Sequence, residues 1–245
     1  MNWMTAFLDF PADEFDRGVA FWQRVTGYPP SSPRGDDGEF VTLIPPNGGD
    51  FLRLQRLGEG SARLHLDLHA EDAAAAAEAA VTAGARRLEQ VHSDVVTLAS
   101  PGGLTFCLVA HSARELPAPT TWPGGHASYV DQVCLDIPPA LHDSERRFWS
   151  YVTECGTTRR SSLPEFSRLV RPDDQHLRVL FQLVGESDGT VSAHLDWATT
   201  DRESETARHR DAGAEVVEVF PHWTVMRGPV GSAYCITDRR PGEDG

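Results

Sequence analysis

The stretch Phe21-Trp22-Gln23-Arg24-Val25-Thr26 decides the fold, because it returns 127 residues later as Phe148-Trp149-Ser150-Tyr151-Val152-Thr153. His65-Leu66-Asp67 likewise returns 129 residues later as His194-Leu195-Asp196. Landmarks that keep one order at a nearly constant offset indicate two homologous halves. Two further pairs follow the same order: Gly84-Ala85 with Gly213-Ala214, and Pro101…Gly103…Phe106-Cys107 with Pro229…Gly231…Tyr234-Cys235.

A Pro/Gly-rich stretch separates the two halves. The sequence from Leu116 to Gly125, Leu-Pro-Ala-Pro-Thr-Thr-Trp-Pro-Gly-Gly, has the composition of a linker. We therefore predict a first domain over residues 1–115, a linker over 116–125 and a second domain over 126–245. Domains of about 120 residues bury enough apolar surface to be stable without disulfides.

Each half contains a weaker repeat of a strand, a helix and several strands. The first half begins with a predicted strand over 5–10 and a helix that starts after an Asp13 N-cap and ends at Gly27. Trp22 occupies the apolar face of this helix, so we predict a core position for it and for its repeat, Trp149. Strands over 39–44, 51–57, 63–69, 95–98 and 104–109 complete this half, with an alanine-rich helix ending at Gly84.

The second half has the same order of elements. Thr200 and Glu203 have the spacing of a capping box for its last helix. We expect His142, His176 and His209 to lie on the solvated surface. The chain is therefore predicted to be an α+β protein of four βαβββ units.

Polar residues gather on one face of the predicted strands. Residues 63–69 alternate strictly between leucine and polar residues, so His65 and Asp67 share a face opposite the leucines. His194 and Asp196 share a face in the repeated strand. Because polar groups that converge from several strands form ligand sites, we predict that these faces line clefts. By the same alternation along the other strands, the cleft-lining faces also carry Thr5, Phe7, Asp9, Gln55 and Cys107 in the first half, and Gln132, Cys134, Asp136, Gln182 and Cys235 in the second.

Charge and composition exclude several classes of function. The net charge is −14, and all 22 basic residues are arginine. The absence of lysine excludes Schiff-base catalysis and the lysine-containing phosphate loop. The negative charge argues against a nucleic-acid or anionic-membrane partner, and no apolar run approaches the roughly 18 residues of a membrane span. We expect a cytoplasmic protein with reduced cysteines and a small-molecule ligand, either a monomer built as a pseudo-dimer or a homodimer.

The order of these motifs resembles the vicinal oxygen chelate superfamily, which includes glyoxalases, bleomycin resistance proteins and extradiol dioxygenases. More narrowly, it resembles the two-domain glyoxalase-like proteins of actinobacteria. The resemblance covers nearly the whole chain. It implies tandem glyoxalase-like domains whose βαβββ units form curved mixed sheets around clefts, with helices on the convex side. It implies either metal-dependent chemistry or metal-free binding of a small molecule, because the superfamily contains both.

The resemblance also marks where metal ligands would lie. The superfamily's metal enzymes use His, Gln or Glu on first strands and Glu on last strands. The matching first-strand residues are Thr5, His65, Gln132 and His194, and the last-strand residues are Gln55, Cys107, Gln182 and Cys235. Because no carboxylate falls at these positions, we favour a site without a metal cofactor. A divalent ion (Zn, Ni, Fe or Mn) bound by Gln132, His194 and Cys235 is the alternative.

Two functions therefore stay open. The first is a protein that binds a partly aromatic or oxygen-rich small molecule without a catalytic metal, either for sequestration or resistance or for a reaction that the sequence does not define. In this case one half could be only a scaffold for the other. The second is a metal-dependent enzyme, either a glyoxalase-type lyase or isomerase or an extradiol-type dioxygenase, with His194 and Asp196 as catalytic residues. The predicted ligand-binding residues are His65, Asp67, Gln55, Cys107, Gln132, Gln182, Cys235 and Trp223.

Overall fold

Four α-helices and sixteen strands occur in the part of the chain that the structure, a computed structural model, describes: residues 3–88, 95–110, 115–158, 163–185 and 189–243. The helices are α1 (Phe15–Thr26), α2 (Ala73–Thr82), α3 (His142–Thr153) and α4 (Arg202–Asp211). The first-half strands are β1 (Trp3–Pro11), β2 (Phe40–Leu43), β3 (Leu52–Leu57), β4 (Arg63–Ala70), β5 (Arg86–Arg87), β6 (Val95–Ala99) and β7 (Thr105–Ala110). The others are β8 (Thr120–Thr121), β9 (Ala127–Ile137), β10 (Thr157–Thr158), β11 (Phe166–Leu169), β12 (Arg178–Leu183), β13 (Ser192–Thr199), β14 (Glu215–Val219), β15 (Trp223–Arg227) and β16 (Ala233–Thr237).

The strands form two open mixed sheets, one from each half of the sequence. The first sheet has the order β2-β3-β1-β4-β7-β6-β5. The second has the order β10-β11-β12-β9-β13-β16-β15-β14, and β8 pairs with β9. In both sheets, a parallel pair (β4 with β7, β13 with β16) lies beside antiparallel pairs. This arrangement confirms the predicted α+β architecture with two similar halves.

Two compact units each combine chain from both halves. The first contains Met1–Ala6, Leu64–Glu115 and Val133–Ala193, and the second contains Phe7–Arg63, Leu116–Gln132 and His194–Gly245. In the first unit, Phe106 packs edge-to-face against Trp149 at 5.3 Å. In the second unit, Trp22 packs against Tyr234 at 5.6 Å. A helix from one half therefore packs on the last strand of the other half, while the domain bounds at 115 and 126 stay a prediction.

The strand and core predictions agree closely with the structure. The predicted strands lie within one or two residues of β1–β4, β6 and β7. Trp22 and Trp149 are buried, and α1 ends at Gly27 in the left-handed conformation, with φ of 72°. No helix of the described ranges is long and apolar enough to cross a membrane.

Two predicted helix caps are wrong by one residue. Helix α1 follows Glu14 rather than Asp13, because the Glu14 amide closes a turn onto the Pro11 carbonyl. Helix α4 is capped by Asp201 rather than Thr200. The Asp201 carboxylate accepts a hydrogen bond from the Ser204 amide and so satisfies a free donor of the first turn.

The expected surface position of His209 is also wrong. His209 is fully buried in the second unit, where its ring contacts Glu205 and the Tyr234 hydroxyl at 3.0 and 2.9 Å. Glu205 is fully buried as well and also accepts hydrogen bonds from His126 and Arg208. A polar residue of the largely polar helix α4 faces inward here because a second buried polar group pairs with it. His176 is buried too, whereas His142 is half-buried.

Candidate functional site

Four of the predicted site residues meet in the second unit. His194 and Asp196 lie on β13, Cys235 on β16 and Gln132 on β9. The Nε2 atom of His194 lies 3.4 Å from Asp196 Oδ1 and 3.6 Å from Cys235 Sγ. Together with the Cys235 thiol, the histidine and the aspartate form what we call the second-half triad, whose donor atoms all lie within 4.8 Å of one another.

The second-half triad follows directly from strand geometry. Residues two apart on a strand share a face, so β13 presents His194 and Asp196 together. The parallel register of β13 and β16 then places Asp196 opposite Cys235. All three side chains are buried or nearly so, and the His194 side chain is the most open at 14% exposure.

Gln132 fixes one oxygen of the Asp196 carboxylate. Its amide nitrogen donates to Oδ2 at 2.5 Å. The other oxygen, Oδ1, faces His194 and accepts no hydrogen bond from the residues that the structure describes. Leaving a buried acceptor unsatisfied costs about 1–3 kcal/mol, so this oxygen favours a hydrogen-bond donor or a cation.

A half-buried arginine, Arg239, adds positive charge near this carboxylate. Arg239 forms two hydrogen bonds of 2.8 Å with Asp131, the residue before Gln132. Burial alone would lower the pKa of Arg239, but the negative charges of Asp131 and Asp196 and the hydrogen bonds to Asp131 raise it. Arg239 therefore stays cationic.

The first unit repeats this arrangement. His65, Asp67 and Cys107 form a first-half triad whose donor atoms also lie within 4.8 Å of one another. The parallel register of β4 and β7 places Asp67 opposite Cys107. This triad is wider, with 3.8 Å between His65 Nε2 and Asp67 Oδ1, and the hydroxyl of Thr97 lies 3.7 Å from the Cys107 thiol.

The remaining predicted site residues make other contacts. In the first unit, Gln182 accepts a hydrogen bond from the Cys134 thiol at 3.5 Å. In the second unit, Gln55 lies on β3 opposite Phe40 of β2. Trp223 of β15 pairs with Thr237, two residues along β16 from Cys235, so it shares the face that carries the second-half triad.

Both triads contain a carboxylate, Asp67 or Asp196, that lies outside the superfamily's metal-ligand positions. Those first-strand and last-strand positions contain no Asp or Glu in this chain. The His-x-Asp spacing of both first strands was the usable signal, because alternation places the carboxylate beside the imidazole.

The donor atoms present suit some metal ions better than others. Each triad offers one imidazole nitrogen, one carboxylate oxygen and one thiol sulfur, which are the ligand types of zinc. Iron(II) oxygenases normally use two imidazoles and one carboxylate, and neither triad provides that set. The residues therefore fit a zinc-like ion.

Both halves of the chain match the same protein family. The model of the family described as glyoxalase-like domain matches residues 5–109 and again residues 132–237. No curated protein matches the chain.

Solved structures with the same fold share little sequence with this chain. The Mn(II)-bound glyoxalase from Novosphingobium aromaticivorans is 16% identical with a TM-score of 0.68, and the match covers 94% of this chain and 80% of that one. The 2,2',3-trihydroxybiphenyl 1,2-dioxygenase from Sphingomonas wittichii strain RW1 is 16% identical with a TM-score of 0.62, covering 95% and 88%.

A fusion of a xylose isomerase-like TIM barrel with a 4-hydroxyphenylpyruvate dioxygenase is 15% identical with a TM-score of 0.64. The match covers 98% of this chain but 49% of the fusion protein, so the chain spans about half its length. These likenesses concern the fold alone. Because the family model matches most of the sequence in two copies, the chain belongs to the glyoxalase-like family of the vicinal oxygen chelate superfamily and contains two glyoxalase-like domains.

Proposed function

We propose that this protein binds a small, oxygen-rich or partly aromatic molecule on the strand face that carries the second-half triad. The observation that supports this most is the buried Asp196 carboxylate, whose Oδ1 accepts no hydrogen bond from the described residues. His194 lies beside that oxygen and is the most exposed member of the triad. A ligand hydroxyl can donate to Oδ1, while the imidazole contacts a neighbouring ligand oxygen.

An aromatic surface on the same strand face favours a ligand with a flat ring. The rings of Trp223 and Phe220 stack at 4.7 Å with an interplanar angle of 18°. Arg202 donates hydrogen bonds to the carbonyls of Phe220 and Pro221, both at 3.0 Å, and so holds the turn before Trp223. An indole fixed in this way provides a large contact surface at little entropic cost.

The protein's own groups can also move a proton. Asp196 is oriented by Gln132 and lies beside His194, which is the arrangement of a general base with a neighbouring acid. We propose that Asp196 accepts the proton of a ligand hydroxyl, so that the negative charge passes from the carboxylate to the ligand oxygen, and that His194 contacts that oxygen. Gln132 is a positioning residue in this scheme.

The second candidate is the metal-dependent form of this function, a lyase, isomerase or dioxygenase. It is favoured by the fit of the two triads to a zinc-like ion. His194, Asp196 and Cys235 would hold the ion, which would polarise a ligand oxygen as a Lewis acid. Since Asp196 supplies a carboxylate two residues beyond the first-strand position, the lack of last-strand glutamates weighs less against this form.

The narrower parts of the proposal come from the sequence. The resemblance to actinobacterial two-domain proteins and the negative net charge support a cytoplasmic protein that acts on a small metabolite. The duplicated halves support a monomer that already resembles a dimer, with a homodimer as the alternative.

Equilibrium binding of small phenolic and oxo-acid compounds tests the proposal, measured with and without a chelator. We expect His194→Ala and Asp196→Asn to weaken the binding of any hit at least tenfold, because both remove polar contacts at the ligand. His222→Ala is the matched control, since His222 is a largely exposed histidine in the same unit.

Equal loss of binding in His222→Ala, or unchanged binding in both triad variants, would remove the second-half triad from the ligand site. Binding that survives chelation supports the metal-free form, and binding that disappears supports the metal-dependent form.

A further inference from the structure

We infer that the groove between α2 and α3 in the first unit binds a small planar cation, a guanidinium or amidinium group joined to an aromatic ring. The groove has a volume of about 720 Å³, and all of its lining belongs to the first unit. It is separate from the first-half triad, because α3 packs on Phe106 and the next residue, Cys107, lies on the opposite face of the sheet. Binding here goes beyond the proposed function and does not depend on it. The lining includes Glu71, Ala76, Ala79, Tyr151, Glu154 and Cys155.

The second unit contains a filled copy of this groove. By the 129-residue and 127-residue offsets of the duplication, α4 is the counterpart of α2, and α1 is the counterpart of α3. Arg208 of α4 therefore stands where α2 has Ala79. The Arg208 guanidinium donates hydrogen bonds to carbonyls in the last turn of α1, at 3.3 Å to Arg24 and 2.7 Å to Val25. It also lies 3.4 Å from the centre of the Trp122 ring, so a planar cation fills this place between a helix end and an aromatic ring.

The first unit lacks the ion pair that fills the copy. Ala79 stands in the place of Arg208. Ala76 stands in the place of Glu205, whose carboxylate accepts hydrogen bonds from Arg208 in the second unit. The cavity of about 720 Å³ that results lies within the range of about 300–1,000 Å³ that is typical of small-molecule sites.

The charge around the groove favours a cation. Glu71 and Glu154 both line it, and no described residue of its lining is positively charged. The end of α3, which carries the negative end of the helix dipole, borders the same groove. Tyr151, in the last turn of α3, is 56% exposed, so its ring offers a face on which a guanidinium can stack. A planar cation therefore meets the same two kinds of partner here as Arg208 meets in the second unit.

The backbone at Glu154 indicates that this carboxylate is kept at a cost in stability. Glu154 has a φ of 58° and is the only residue other than glycine with a positive φ in the described ranges. Its counterpart, Gly27, follows α1 with a φ of 72°. Because a Cβ makes the left-handed conformation unfavourable, glycine is the more stable residue at such a cap. The glutamate instead places a negative charge at the edge of the groove.

Isothermal titration calorimetry of the full chain with phenylguanidine tests this inference. We expect one equivalent to bind in the groove, with a dissociation constant in the millimolar range or tighter. Phenylurea has nearly the same shape without the charge, so it should bind more weakly by about tenfold or more.

Two variants of the groove separate binding from folding. Ala79→Arg introduces the side chain that fills the copy in the second unit, so it should weaken phenylguanidine binding by about tenfold or more. Ala74→Arg is the matched control and should bind as the parent chain does, because Ala74 is exposed on the same helix and does not line the groove. Glu154→Gly should weaken binding by about fivefold or more, while its melting temperature should equal or exceed that of the parent chain.

Unchanged affinity in Ala79→Arg would overturn the inference, and so would equal affinities for phenylguanidine and phenylurea. The absence of binding by the folded parent chain at millimolar phenylguanidine would overturn it as well. None of these results bears on the proposed function, because no residue of either triad lines the groove.

Discussion

Replacing Glu205 with glutamine should destabilise the second unit more than any exposed substitution on the same helix. Glu205 is fully buried, and its two oxygens accept hydrogen bonds from His126, Ser128, Arg208 and His209 at distances of 2.6–3.0 Å. An amide has only one acceptor oxygen, so its NH₂ group would face donors and would repel them.

The size of the effect follows from the buried charge. Removing one partner of a buried ion pair costs about 3–5 kcal/mol, because the other charge is left uncompensated. Arg208, whose side chain is 19% exposed, would be that charge. For a chain of this length, about 3–5 kcal/mol corresponds to a fall of roughly 6–20 °C in the melting temperature.

Urea and thermal unfolding of Glu205→Gln and Glu203→Gln measure this directly. Glu203 is exposed in the first turn of α4, so its variant should stay within about 1 kcal/mol of the parent. A Glu205 variant that loses less than about 1 kcal/mol would refute the reasoning, because the carboxylate would then not compensate Arg208.

Acid should produce part of the same loss. Burial alone would raise the pKa of Glu205, but hydrogen bonds from His209 and Arg208, and their charges, hold this pKa well below its ordinary value of 4.5. A depressed folded-state pKa adds stability above the unfolded-state value, and this stability is lost as the pH falls through the folded-state value. The parent chain should therefore lose stability below about pH 5 more steeply than Glu205→Gln.

Two further substitutions test the packing around the two triads' sheets. Gly102→Ala should lower the free energy of unfolding in urea by about 1–3 kcal/mol, because the added Cβ would lie 2.4 Å from the Val191 side chain. Gly58→Ala is the control: its added Cβ meets no atom within 4 Å, so the free energy of unfolding should hardly change. Arg239→Ala should lower the free energy of unfolding by about 3–5 kcal/mol, because it leaves Asp131 buried without its bidentate partner. An unchanged stability in thermal unfolding would show that solvent reaches this carboxylate.

The fold was readable from the sequence because its signals are local and repeated. Alternation in residues 63–69 defines a strand and its two faces, and Gly27 ends a helix because it adopts the left-handed conformation. The duplication then supplies each signal twice. The pairing of compact units across the halves was not readable, because it depends on contacts between distant segments such as Trp22 with Tyr234.

The candidate site was predicted in part. The sequence predicted that His194, Asp196 and Cys235 share one face, because side chains alternate between the two faces along each strand. The Gln132–Asp196 hydrogen bond was not, because it joins neighbouring strands whose register the sequence does not state. His209 was misplaced for a similar reason, since its partner Tyr234 lies 25 residues away.

Equilibrium binding of small phenolic and oxo-acid compounds to the parent chain, His194→Ala and Asp196→Asn tests the central claim most directly. We predict that both variants bind any hit at least tenfold more weakly than the parent chain, while His222→Ala binds it as the parent does. Unchanged binding in both triad variants would contradict the claim.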